Sequence, residues 1–396
     1  MASGAHTKRG RRIPVRGITI VVVAAGVIAG AVVAGGSYVS GRGSHSASLD
    51  ASASASPTTL PRTPLRLISF SPAPANNVAP SAPISLHFSA PLGPWQTEPT
   101  ITPAIPGSWI ASGSTMTFTP TGGWVPYSTV KVYVPAGVSG AADSHTTPLA
   151  TSASLAFTVA PGSNLRVQQL LAELGYLPLT FTPTGATSAQ PIIDAEPTVA
   201  SSVSSVPAAG TFTWRFGHTP VSLMSQWVQG HANVIERGAI MAFESVHGLT
   251  TDGLAGPQLW TDLLTAVATR QVSTQPYNYL MVSESEPETL QVWSNGKVIA
   301  STLANTGISE APTARGTFPV YVRYASTTMT GLNPDGSKYV DPGVRWVAYF
   351  NGGDAVHQFP RPGYGWPQSL GCVELPSSTA ESIWDLDPIG TLVTVA

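Results

Sequence analysis

Charge is scarce in this sequence. Lys, Arg, Asp and Glu make up only 10% of the 396 residues, and they nearly cancel, at a formal net charge of −2. Such a chain offers a polyanion little to bind, which excludes nucleic acid as a partner. Cysteine is scarcer still. Cys372 stands alone, so no intramolecular disulfide can form and stability must come from packing. The eight histidines are scattered. No His-x-x-x-His pair or carboxylate cluster has ligand spacing, so no metal site and no cofactor is expected. Proline (36) and glycine (38) are plentiful, alongside many Ser, Thr and Ala. That composition points to β-rich domains joined by turns and a linker, and the length allows two to four domains.

Residues 1–17 are basic, with Lys8, Arg9, Arg11, Arg12 and Arg16. Ile18 to Gly36 then run for nineteen residues without a charge. That is about the shortest length that spans a bilayer as a helix, and the preceding positive charge places the N-terminus in the cytoplasm. The segment 18–39 therefore reads as a membrane anchor. A cleaved signal peptide is the alternative, with a small-residue cleavage site at Val32-Val33-Ala34. Either way the rest of the chain is extracytoplasmic. No cysteine follows the segment until Cys372, which excludes a lipoprotein. Residues 40–64, rich in Ser, Ala, Thr and Pro, read as a disordered spacer.

Between 65 and 161 short alternating apolar runs are separated by Pro/Gly turns. Among them are Leu65–Phe70, Ile84–Phe88, Met116–Thr119, Val130–Val134 and Leu155–Val159. About seven such runs predict an antiparallel β-sandwich. The phrases Ser71-Pro72-Ala73 and Phe118-Thr119-Pro120 resemble bacterial Ig-like domains.

At 162–270 the period changes to that of helices. One is predicted from an Asn164 cap to a Gly175 stop, a second over Val234–Val246 and a third over Gln258–Leu264. Phe243, Gly248-Leu249, Asp252-Gly253 and Gly256-Pro257 resemble the three-helix peptidoglycan-binding domain, here interrupted by an insert at 179–230. Phe243, Leu249, Leu254 and Trp260 are expected to form its core.

Residues 271–396 return to strands. Asn295-Gly296 between two apolar runs is a strong type I′ hairpin signal. Val344–Phe350 predicts a further strand leading through Gly352-Gly353 to His357. Cys372 follows fifteen residues after His357, behind Gly371 and Ser369. A thiol needs a base to act as a nucleophile near neutral pH, and imidazole is the usual one. A glycine beside the nucleophile lets backbone N–H groups approach an oxyanion.

His357, Ser369, Gly371, Cys372 and Val373 resemble the signature of the L,D-transpeptidase (YkuD) family, as does the segment Ala311–Val320 upstream. Two positions depart from it: Leu370 stands where a second His is usual, and Glu374 where Arg or Asn is common. The whole is then a multidomain, mostly β protein: an Ig-like sandwich, a small helical domain with an insert, and a β-rich catalytic domain.

The resemblance implies an acyltransferase acting on peptidoglycan stem peptides, with Cys372 as nucleophile, His357 as general base and the backbone at Gly371 holding the oxyanion. Its product would be a 3-3 cross-link, and carbapenems would be inhibitors. The base needs an orienting partner, for which Asp354, Ser369 and a backbone carbonyl are the candidates. Tyr364 and Trp366 are placed as a substrate wall, and Arg361 as a cation for an acidic substrate group. A carboxypeptidase using water as acceptor, or a non-catalytic wall-binding scaffold, remain the alternatives.

Overall fold

The computed structural model describes residues 63–73, 76–93, 98–137, 146–185 and 199–396. The basic tail, the apolar segment 18–39 and nearly all of the spacer 40–64 lie outside them. Among the described residues no helix is long and apolar enough to cross a membrane.

The N-terminal domain is a sandwich of two antiparallel sheets. One orders Leu67–Ser71, Ile84–Phe88, Thr115–Pro120 and Gly107–Ser112; the other orders Thr100–Thr102, Thr129–Val134 and Ala153–Thr158. Alternation decides the faces: along Thr129–Val134, Val130, Val132 and Val134 are buried and the residues between them exposed. Trp124 sits at the centre, fully buried, with its ring edge-on to Phe157 and its indole N–H on the Ala82 carbonyl at 2.8 Å.

Three long helices follow, Asn164–Glu173, Val234–His247 and Pro257–Ala268, with a single helical turn at Val221–Met224 before the second of them. The first is capped by the Ser163 hydroxyl, which accepts the Arg166 N–H, so Asn164 is the first helical residue and not the cap. Gly175 (φ +79) stops it and Gly248 (φ +69) stops the second, both in the left-handed conformation that favours glycine. Phe243 and Trp260 are fully buried and Leu249 packs against them, but Leu254 is 64% exposed and leaves the expected core set.

This helical layer is not closed on itself. Its core takes in Val125 of the sandwich and Tyr279, Trp293 and Leu392 of the C-terminal domain. The insert is divided between two tasks. Leu179–Pro183 and Gly210–Trp214 pair as a hairpin, whereas Ser204 and Ser205 bond to the carbonyls of Gly122 and Trp124 in the sandwich.

The C-terminal domain packs a five-stranded sheet against a four-stranded one. The first orders Lys297–Leu303, Thr289–Ser294, Asn278–Ser283, Leu392–Val395 and Gly316–Pro319. The second orders Val322–Leu332, Lys338–Asn351, Asp354–Gln358 and Val373–Leu375. Leu280, Val292, Phe350, Val356, Val373 and Val393 fill the space between them. The Asn295-Gly296 turn forms as the sequence predicts, with both residues at positive φ (+44 and +96). The predicted Val344–Phe350 strand is the second half of a longer one that begins at Lys338.

Candidate active site

His357 and Cys372 come to one face of the sheet because Asp354–Gln358 and the strand that Cys372 leads into are parallel neighbours. Asp354–Gln358 pairs with Val373–Leu375 in the register Val356↔Val373 and His357↔Glu374. Val356 and Val373 point into the core between the sheets. Alternation therefore sends His357 and Cys372 to the opposite face together. Cys372 packs there with Met329, Val347, Ala355, Tyr339, Tyr349 and Phe359.

His357 is 3% exposed. Its Nδ1 lies 2.9 Å from the Gln358 carbonyl oxygen. A carbonyl only accepts, so Nδ1 carries the proton and Nε2 keeps its lone pair. Of the three candidate orienting groups, the backbone carbonyl is the one in contact. Burial lowers the imidazole pKa below its ordinary value, partly offset by the Gln358 carbonyl and Glu374, so the ring is neutral at pH 7.

The Cys372 thiol donates to the Gly353 carbonyl at 3.6 Å. Among the described residues no hydrogen bond joins it to His357. Burial pushes its pKa up to about 12; the Ala355 N–H pulls the other way, and the Asp354 and Glu374 carboxylates add to the rise. The resting nucleophile candidate is a thiol, not a stored thiolate. Chemistry at this site requires the proton to leave sulfur as the new bond forms.

Ser369, 1% exposed, shapes the turn. Its hydroxyl donates to the Cys372 carbonyl at 2.5 Å and accepts the Gly371 N–H at 3.2 Å. The Gly371 N–H, expected at an oxyanion, is thus given to Ser369 instead. Gly371 has φ +114, and a Cβ there would stand 2.5 Å from the Asp354 carboxylate. Both facts require glycine. Gly371→Ala is expected to strain the turn by about 1–3 kcal/mol and to slow any acylation of Cys372 about tenfold; intact-mass time courses beside a melting curve measure both. Asp354 itself accepts the Ala314 N–H at 3.1 Å, tying the upstream Ala311–Val320 segment to the turn rather than orienting His357.

Arg361 is not free for a substrate. Its guanidinium holds Glu374 through two bonds of 2.7 Å and the Gln368 carbonyl at 3.0 Å. Glu374, an unexpected residue in the motif, is therefore neutralised from within. Tyr364 donates to the Phe359 carbonyl at 2.6 Å and fastens the same loop. Trp366 is 45% exposed and lies over Gly363, an open aromatic face on the loop between His357 and Cys372.

Sequence reasoning missed Tyr339 and Tyr349. Burial raises both phenol pKa values, with the Cys372 charge the next cause. They remain neutral O–H donors beside the sulfur. No fixed spacing links them to the motif; only the strand alternation on Lys338–Asn351 puts them on its face. Among the described residues, no group of three or more His, Cys, Asp or Glu side chains could hold a metal ion.

Residues 277–395 match the family model of the YkuD L,D-transpeptidase catalytic domain, and residues 61–159 that of a bacterial Ig-like domain. The chain therefore carries one domain of each kind. Among solved structures it is similar to an L,D-transpeptidase from Mycobacterium smegmatis, with 14% identity over 84% of this chain and 100% of that one and a TM-score of 0.28. L,D-transpeptidase 3 from Mycobacterium tuberculosis is 15% identical over 83% and 98% of the two chains, at a TM-score of 0.28. The catalytic domain of the E. faecium L,D-transpeptidase is 26% identical over 31% and 100%, also at 0.28. No curated protein matches the chain.

Proposed function

We propose that this chain, with its L,D-transpeptidase catalytic domain, forms 3-3 cross-links in peptidoglycan through a thioester on Cys372. The observation that carries the reading is the pairing of the His357 and Cys372 strands, with Nδ1 of His357 tied to Gln358 and Nε2 left as a base on the face of the thiol.

The thiol proton passes to Nε2 of His357 as sulfur attacks the carbonyl of the third residue of a tetrapeptide stem. The bond to the terminal D-residue breaks, and the imidazolium returns the proton to the leaving amine. The side-chain amine of a second stem then attacks the thioester and gives its proton to His357; the bond from the acyl carbon to sulfur breaks, and the imidazolium returns that proton to the departing Cys372 sulfur. Tyr339 and Tyr349, which pack on the same face as Cys372, are the neutral donors assigned to the developing oxyanion. Trp366 forms a wall for the donor stem.

The basic residues 1–17 followed by the uncharged run Ile18–Gly36 support a membrane anchor with the catalytic domain outside the cytoplasm. The helical layer spends its apolar faces on the sandwich and the catalytic domain. That arrangement supports a spacer role more than a separate glycan-binding one. A β-lactam carbonyl would trap the same nucleophile; the E. faecium catalytic domain has been solved acylated by ertapenem.

The test is the intact mass of the full chain after meropenem, beside Cys372→Ala and His357→Ala. An adduct of one intact carbapenem, absent from Cys372→Ala, is the expected result. No adduct on folded wild type sinks the reading and leaves a wall-binding scaffold. Products formed from a tetrapeptide donor, with and without an amine acceptor, separate cross-linking from hydrolysis.

A further inference from the structure

A buried carboxylate outside the motif holds the nucleophile turn from behind. Glu288 is fully buried, at 0% exposure. Its two oxygens accept from one residue: Oε2 from the Thr306 N–H at 2.7 Å and Oε1 from the Thr306 hydroxyl at 2.6 Å. Among the described residues no Lys or Arg pairs with it. A buried carboxylate without a cation is costly, and short charge-assisted bonds are what offset the cost.

Thr306 is the centre of a clamp. Its carbonyl accepts the N–H groups of Gln368 (2.9 Å) and Ser369 (3.0 Å). On one side of it Asn305 exchanges both backbone bonds with Glu374, at 3.0 and 2.9 Å. On the other, the Ser369 carbonyl accepts the Ile308 N–H at 3.0 Å. Residues 305–308 thus grip the Cys372 turn at both ends. The path from the carboxylate to the nucleophile is short: Glu288 fixes Thr306, Thr306 fixes Ser369, and the Ser369 hydroxyl fixes the Cys372 carbonyl. Glu288 also donates its own N–H to Gly365 at 2.7 Å, on the loop that bears Trp366.

We propose that Glu288 is a positioning residue, which sets the angle of Cys372 through Thr306 and Ser369. It touches neither substrate nor sulfur. The inference rests on the acyl-transfer reading for its kinetic expression and on the clamp alone for its geometry.

The experiment measures carbapenem acylation of the full chain, separating the maximal rate constant from the half-saturating concentration. A misplacement of the nucleophile by about 1 Å costs about 10²-fold. Glu288→Ala is therefore expected to lower the maximal rate about 10- to 100-fold, with the half-saturating concentration within about threefold of wild type. Glu288→Gln keeps an acceptor for the Thr306 N–H and an amide for its hydroxyl, and is expected to restore the rate to within about fivefold. A folded Glu288→Ala with an unchanged maximal rate overturns the proposal, as does a loss confined to half-saturation. If Glu288→Ala does not fold, Thr306→Val, which deletes only the hydroxyl bond, is expected to give an intermediate loss, and an unchanged rate there is equally fatal. If wild type forms no adduct, the acyl-transfer reading fails separately. The clamp is then read by iodoacetamide alkylation of Cys372, expected to be faster in Glu288→Ala and restored in Glu288→Gln; equal rates overturn it.

Discussion

His357→Ala is expected to slow acylation of Cys372 by about 10²- to 10⁴-fold, the range for loss of a general base. The size of the effect follows from the state of the sulfur. With its pKa pushed up to about 12 by burial and two nearby carboxylates, the sulfur rests as a thiol at pH 7. A site that stored a thiolate would survive loss of its base with little damage. This one has to move the proton during attack, and Nε2 of His357 is the acceptor left free by the Nδ1 bond to Gln358. The sign of the pH dependence follows as well. Burial lowers the pKa of His357 below its ordinary 6.5. The imidazole is therefore a competent base above that lowered value, and the rate falls as pH drops through it. Wild type is expected to hold its acylation rate down through pH 6.5 and to lose it below, whereas His357→Ala shows no acid limb there. An acid limb above pH 6.5, or a loss of less than about tenfold in His357→Ala, would remove His357 from this role.

Much of the scaffold was legible because local pattern and tertiary demand agree. The period-two runs of the sandwich, the Asn295-Gly296 turn and the glycine stop at 175 each state their conformation in one or two residues. The cap of the first helix was misplaced by one residue because Ser163 and Asn164 are both good capping residues, and only the backbone decides between them. Leu254 belongs by sequence to the expected core set with Phe243, Leu249 and Trp260, but the structure leaves it exposed. It lies in the loop before the Pro257 helix, where no period constrains it.

In the site, the residue pair that the motif names was legible, and the groups that hold it were not. Glu374 looks like a defect in the sequence and Arg361 like a spare cation. The loop between them brings each to the other, and neither feature can be read singly. Glu288 is further out of reach: the stretch Glu284–Glu288 has three carboxylates in five residues and reads as solvated turn. Only the pairing of residues 305–308 with 368–374 shows that the last of the three is buried and occupied.

The Arg361–Glu374 pair gives the other large effect, and it is asymmetric. The Glu374 side chain is 5% exposed, that of Arg361 28%. Removing the cation strands a carboxylate among buried strands; removing the anion leaves a guanidinium with water, the Gln368 carbonyl and the Phe359 ring 4.7 Å away. Arg361→Ala is expected to cost about 3–5 kcal/mol, the range for breaking a buried pair from one side, and Glu374→Gln clearly less. Denaturant midpoints of the two variants measure the difference; equal costs would show that the pair is solvated and contributes little. The same substitutions move His357 in opposite directions. Glu374 raises the imidazole pKa and Arg361 lowers it. Without Arg361 the carboxylate acts unopposed, so the acid limb of acylation shifts to higher pH. Without Glu374 it shifts lower. Two variants of one ion pair that displace the limb to opposite sides of wild type would tie the motif's departure at Glu374 to the working pH of the base. Displacement to the same side would mean that the loop, not the charge, is what Arg361 supplies.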